Sequence, residues 1–189
     1  MPLKANSKAP LFNLVDIYGR QIDLGAYKSK RLLLGFFRHA GCPFCNLRVH
    51  TLQKVYQELK DKNFEMIFFF ESKEQVMLRS TFHQGVSPIP LISDPQKKIY
   101  SAYGLEASTK KALISHATSF AQTVVKATAA KVPVHMMAEG ESFSTMPAEF
   151  LIDHDLVIKR AHYSERLNHR IVVDDIRVFA DKGVAQEAN

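Results

Sequence analysis

Residues 31–45 read Arg31-Leu-Leu-Leu-Gly-Phe-Phe-Arg-His-Ala-Gly-Cys-Pro-Phe-Cys45, and the change of character inside this stretch decides the fold. Arg31 to Phe37 is a compact apolar run of the kind that forms a strand buried on both faces of a parallel sheet. Phe64 to Phe70 is a second such run. Between them Leu52, Val55, Tyr56 and Leu59 recur at helical spacing, so residues 42–61 predict the helix that crosses from one strand to the next. Such a crossover is right-handed in nearly every known case.

On the N-terminal side, Phe12, Leu14, Ile22 and Leu24 alternate around Asp16-Ile17-Tyr18-Gly19-Arg20, which predicts a short hairpin with Gly19 in its turn, covering one edge of the domain. After Phe70, Ser72 and Gln75 match a capping box for a short helix to about His83, and Pro88 to Ser93 reads as a strand entered through prolines. Residues 105–145 break this rhythm and read as an insertion. Leu113, Ala117, Phe120, Ala121 and Val124 form one helical stripe in it, expected to pack on its own domain or on a second copy. Glu149–Asp153 and Leu156–Ala161 flank His154-Asp155 and predict an antiparallel pair. A terminal helix over about Asn168 to Ala180 closes the chain, and residues 182–189 read as a flexible tail.

At about 150 residues per domain, the 189 residues make one domain, 1–189, with the insertion inside it. Hydrophobic residues are 46% of the chain and Gly and Pro number 8 each, which excludes collagen-like and low-complexity sequences. The net charge of +6 comes from scattered basic residues, so no nucleic-acid partner is expected. The apolar runs are far shorter than the roughly 20 residues that span a bilayer, so no membrane partner is expected either. Two cysteines cannot build a disulfide framework and no secretory signal opens the sequence; the expected location is cytoplasmic.

Those two cysteines carry the chemical signal. Cys42 and Cys45 stand at i, i+3 where a buried strand turns into a helix, and Pro43 suits the first helical position because its missing N–H would have had no partner there. Cys42 is then the N-cap. Unpaired backbone N–H groups and the positive end of the helix dipole favour its thiolate. One helical turn brings Cys45 close enough to resolve a mixed disulfide on Cys42. Two buried core cysteines, or half of a zinc shell, are the competing readings. The zinc reading lacks a second cysteine pair, and His39 and His50 have no recognised ligand spacing.

Gly35 to Cys45 resembles the thioredoxin superfamily, and within it the peroxiredoxin-like branch of the alkyl hydroperoxide reductase/thiol-specific antioxidant group that carries a Cys-x-x-Cys site. Lys8-Ala-Pro-Leu-Phe12 with Asp16 and Gly19, Ser93 to Leu105, and Met146-Pro-Ala-Glu-Phe-Leu-Ile-Asp153 are similar to the same group. The resemblance implies an α/β thioredoxin-like fold, a central mixed sheet flanked by helices, to which the hairpin and the helical insertion are added. It also implies a cis-proline at Pro147, where Met146 and Pro147 would lay a substrate backbone beside the cysteines. The chain departs from the group in lacking a Thr three residues before the attacking cysteine: that place is Cys42 or His39. Arg38 is the candidate for the activating arginine, and His39 for a base or proton donor.

The expected function is a thiol-disulfide oxidoreductase of antioxidant type. Cys42 attacks a disulfide or hydroperoxide, Cys45 resolves, and an external thiol reductant, of the thioredoxin or glutathione system, resets the pair. Pro43, Arg38, His39, Met146 and Pro147 support the site; neither a cofactor nor a metal is called for, and a homodimer is allowed. The alternative is a non-catalytic redox-responsive binding module, whose partner would dock on the 113–124 stripe beside Lys110, Lys111, Lys126 and Lys131.

Overall fold

A computed structural model describes residues 1–182; the tail read at 182–189 lies, apart from its first residue, outside the described residues. A five-stranded sheet has the order β5-β4-β3-β6-β7, built from β3 (Arg31–Phe36), β4 (Phe64–Phe70), β5 (Leu91–Ser93), β6 (Ala148–Ile152) and β7 (Ile158–Tyr163). Strands β3, β4 and β5 run parallel, while β6 pairs antiparallel with both β3 and β7. The expected crossover is α1 (Pro43–Leu59).

Period-two alternation divides the core between the two sheet faces. Leu33, Met66, Phe68 and Phe70 face α1 and the terminal helix α6 (Val173–Lys182), where Leu52, Val55, Ile176 and Phe179 close over them. Leu32, Leu34, Phe36, Ile67, Phe69 and Phe150 face the other way. There Tyr100 of α4 (Lys98–Ala102) and Phe12, Ile22 and Leu24 of the hairpin cover them. Gly35 has a steric reason: a Cβ there would come within 3.1 Å of the Phe37 and Phe68 rings.

The hairpin forms as read, β1 (Asn13–Val15) against β2 (Gln21–Asp23), with Leu14 opposite Ile22 and Gly19 at φ 80°. Asp16 holds its turn by accepting from the Tyr18 and Arg20 N–H groups. The Ile17 N–H donates to the Leu91 carbonyl at 2.9 Å, which lays the hairpin on the β5 edge.

Four expectations change. The single capped helix after Phe70 is two short ones, α2 (Glu74–Leu78) and α3 (Thr81–Gln84). Ser72 caps neither, because its hydroxyl accepts from the Ala40 N–H at 2.7 Å; Ser80 caps α3 instead. The terminal helix starts at Val173 rather than Asn168, because Arg170 and Ile171 turn inward and the Ile171 N–H donates to Glu149 at 3.0 Å. Met146-Pro147 is not cis; the cis bond among the described residues is Ser87-Pro88. Pro147 instead continues the extended path into β6, its carbonyl accepting from the Ser164 N–H while the Met146 N–H donates to the Glu106 carbonyl.

The fourth change concerns the insertion, whose ends meet at an Ala107–Thr145 bridge. It carries α5 (Thr109–Ala129), which lies against α1. The residues it buries are Ala112, Ser115, Thr123 and Ala127, not the apolar stripe. Small side chains let α5 approach closely, and Ser115 accepts from the Leu167 N–H at 3.0 Å. Leu113, Ala117 and Ala121 of the stripe face outward, while Val124 is half-buried and Phe120 packs on His116 and Phe44.

Beneath the site, Arg48 of α1 holds Glu149 of β6 through two bonds of 2.8 Å, both side chains buried. Removing one partner of such a pair strands the other charge. Arg48→Met is expected to cost about 3 to 5 kcal/mol, read as a lower urea midpoint.

Candidate active site

The site is built where β3 ends. Cys42 is extended at φ −73° and ψ 113°, Pro43 is the first helical residue, and the Cys42 carbonyl accepts from the Cys45 and Asn46 N–H groups. This is the N-cap geometry the sequence predicts. Arg38, in the chain that leads from β3 into the motif, addresses both sulfurs: its backbone N–H points at Cys45 Sγ at 3.3 Å, and its guanidinium Nη1 lies 3.6 Å from Cys42 Sγ.

The two thiols are driven apart in acidity. Burial alone would raise Cys42, but the hydrogen bond from the Cys45 thiol, the Arg38 charge, the Cys45 backbone N–H and Arg170 together lower it to about 6. Cys45 is pushed well above the usual thiol range by burial, by the bond it donates and by the neighbouring thiolate. At neutral pH the pair is a thiolate at 42 and a thiol at 45, the division of labour that attack followed by resolution needs.

The other expected residues are placed as follows. Met146 is buried in the same apolar cluster as both cysteines, and Pro147 is buried behind it. His39 does not point at solvent: it is buried, with Nδ1 3.7 Å from Glu141. Burial, reinforced by Arg38, His135 and His116, lowers its pKa to about 3, so it is neutral at neutral pH and its contact with Glu141 is not an ion pair.

In the sequence Arg170 reads only as part of the terminal helix. Its side chain is buried, donates to Ser164 at 2.9 Å, sits over the Phe37 ring and adds positive charge behind both sulfurs. No local pattern singles it out, because its place depends on Glu149 and the Ile171 N–H.

Residues 132–145 cover the pair. Asn46 donates to the Pro133 carbonyl, the His135 N–H to the Gly41 carbonyl, and Arg38 Nη2 to the Phe143 carbonyl. Farther along, Glu71 accepts from the Ser142 N–H, Thr145 and Lys97, and Ser72 donates to Glu141. Under this cover Cys42 is 1% exposed and Cys45 0%. Both sulfurs are thus closed off from solvent. Among the described residues no group of three His, Cys, Asp or Glu side chains is arranged to hold a metal ion, and no helix is long and apolar enough to cross a membrane.

Residues 5–161 match the AhpC/TSA family, and the chain belongs to that family. Peroxiredoxin Bcp of Escherichia coli is 27% identical over 104 residues, 55% of this chain and 66% of that protein. The thiol-disulfide oxidoreductase ResA of Bacillus anthracis is 24% identical over 103 residues, 54% of this chain and 59% of that one. Similarity to a peroxiredoxin-named protein of Mycobacterium tuberculosis spans 64% of its length, so the chain matches somewhat under two thirds of such relatives. Among solved structures, a thiol peroxidase from Chromobacterium violaceum superposes with a TM-score of 0.66 at 14% identity, over 97% of this chain and 89% of that one. The peroxidoxin BcpB of M. tuberculosis gives 0.65 at 15%, over 97% and 99%. Both share the fold.

Two measurements probe the site. Alkylation of the reduced protein by iodoacetamide is expected to rise with pH through about 6, as Cys42 deprotonates, and to level off above; Arg38→Met moves the inflection upward. A Cβ at Gly41 would overlap the His135 carbonyl and ring, so Gly41→Ala is expected to lift the cover and speed alkylation without moving the inflection. An unchanged rate in that variant would show that His135 does not bar the thiolate.

Proposed function

We propose that this chain is a thiol-dependent oxidoreductase working through Cys42 and Cys45. The observation that carries the reading is the geometry of the pair: Cys42 at the N-cap of α1, one turn from Cys45, with the Arg38 guanidinium 3.6 Å from its sulfur. The Cys42 thiolate attacks one sulfur of a substrate disulfide and expels the other as a thiolate. Cys45 then loses its proton and attacks Cys42 Sγ, releasing the second substrate thiol and leaving a Cys42–Cys45 disulfide. An external thiol system, thioredoxin or glutathione, returns two electrons to the pair.

With a hydroperoxide the same thiolate attacks the terminal oxygen, the alcohol leaves, and Cys45 displaces water from the sulfenic acid. Neither His39 nor Cys42 puts a hydroxyl three residues before a sulfur, so the disulfide route draws on more of what the site contains. For either substrate to reach Cys42, which is 1% exposed, residues 132–145 have to swing aside. The cytoplasm, where thiol reductants are abundant, is the compartment that suits this cycle.

Cys42→Ser is expected to abolish turnover of both a protein disulfide and an alkyl hydroperoxide, each assayed with thioredoxin and with glutathione as reductant. Cys45→Ser is expected to stop after one event and accumulate a mixed disulfide, visible as a mass adduct on Cys42. Full activity of Cys42→Ser would overturn the assignment of the nucleophile.

A further inference from the structure

A cleft of about 810 Å³ opens beside the covering segment, between α2 and α3 on one side and the chain that leaves α5 on the other. Small-molecule sites are concave and occupy roughly 300 to 1,000 Å³, whereas a protein partner needs a broad face. Val76, Phe82 and Val132 give the cleft an apolar lining, and Arg79 and Lys131 bring two cations to it. No Asp or Glu lines it. Among the described residues neither Arg79 nor Lys131 makes an ion pair. Two uncompensated cations over an apolar lining ask for an organic anion.

The cleft is joined to the redox pair by the residues that seat the cover. Pro133 and His135 both line it. The Pro133 carbonyl accepts from Asn46 at 2.8 Å, and the His135 N–H donates to the Gly41 carbonyl at 3.3 Å. Gly41 and Asn46 are the residues immediately before Cys42 and after Cys45, so one wall of the cleft rests on both ends of the motif. The fit there is close, since Gly41 has no room for a Cβ against the His135 carbonyl. Asn46 adds a polar demand. Its amide nitrogen donates to the Ala40 and Pro133 carbonyls, while its Oδ1 is the one buried side-chain oxygen among the described residues that lacks a donor. An amide N–H is the group that would satisfy it.

Carboxylates for Arg79 and Lys131, an amide N–H for Asn46 and a sulfur for Cys42 are together the groups of a small peptide thiol. We infer that this cleft seats a low-molecular-weight peptide thiol with two carboxylates, of the chemical class of glutathione, as the reductant that resets the pair; the inference rests on the thiol-disulfide reading above. The ligand's ammonium finds no acid in the lining and stays at the open mouth. A fatty acid would meet the apolar lining and one cation but leave the second cation and the Asn46 oxygen unanswered. In the reset the seated thiol, as its thiolate, attacks Cys42 Sγ. The Cys42–Cys45 bond breaks, and Cys45 leaves as a thiolate that takes up a proton. A second thiolate of the same kind attacks the sulfur joined to Cys42, forms the small-molecule disulfide and frees the Cys42 thiolate. Two thiols are oxidised and one protein disulfide is reduced; of their two protons, one ends on Cys45 and one in solvent.

Calorimetric titration of the full chain with S-methylglutathione, which keeps the charges and amides but has no reactive thiol, tests the seat apart from turnover. Saturable binding with a Kd of about 1 mM or tighter is expected. Arg79→Glu and Lys131→Glu, both at exposed positions, are each expected to weaken it roughly tenfold. In turnover of a protein disulfide, kcat/KM for glutathione relative to kcat/KM for dithiothreitol, a thiol without carboxylates, is expected to fall by roughly the same factor in each variant. Damage to the fold as a whole would leave that ratio alone. Absence of saturable binding, equal binding by the wild type and both variants, or binding of decanoate in place of S-methylglutathione would each overturn the inference. S-methylglutathione binding that is weakened in the variants, with no turnover by either thiol, would uphold the seat and overturn instead the redox reading of the cysteines.

Discussion

Arg38 stands between the sheet and the chemistry. Its backbone N–H, just past the end of β3, points at Cys45 Sγ, and its guanidinium reaches Cys42 Sγ. A single residue thereby fixes the strand end relative to both sulfurs and supplies charge that helps outweigh the burial of Cys42. A buried thiol in apolar surroundings is ordinarily inert because desolvation disfavours its charged form. Here Arg38 and Arg170 approach from opposite ends of the sequence, and the thiolate at 42 becomes the natural charge state at neutral pH. Burial and the neighbouring thiolate keep the proton on Cys45, which donates it to Cys42, and burial, aided by Arg38, leaves His39 neutral.

The cover of residues 132–145 is the other half of that arrangement. Its ties to Arg38, Gly41 and Asn46 run through backbone carbonyls and N–H groups, strong enough to seat the segment but few enough to release it. The denser cluster at Glu71, with Lys97, Ser142 and Thr145 around it, anchors the far end. The insertion thus does two jobs with two segments: the extended part closes over the sulfurs, and α5 braces α1 with small residues while presenting larger apolar ones such as Leu113 outward.

Hydrophobic spacing showed that α5 is amphipathic but not which way it faces. The stripe from Leu113 to Val124 is genuine, yet the core already closes around α1 and leaves room only for Ala112, Ser115, Thr123 and Ala127. A helical stripe is assigned inward by default. Ser72 misled for a related reason, since a capping box is a local pattern and its hydroxyl was claimed by Ala40, 32 residues away.

The β3-α1-β4 crossover, the hairpin about Gly19, the antiparallel end of the sheet and the N-cap place of Cys42 were all determined by the chain's own order of residues, because each depends on neighbours within one or two turns. Only the folded molecule decided the trans path through Pro147, the neutrality of His39, the charge from Arg170 and the closure over the sulfurs. Those rest on groups far apart in the chain meeting in a space without water, where a few ångströms set whether a charge is stabilised or extinguished.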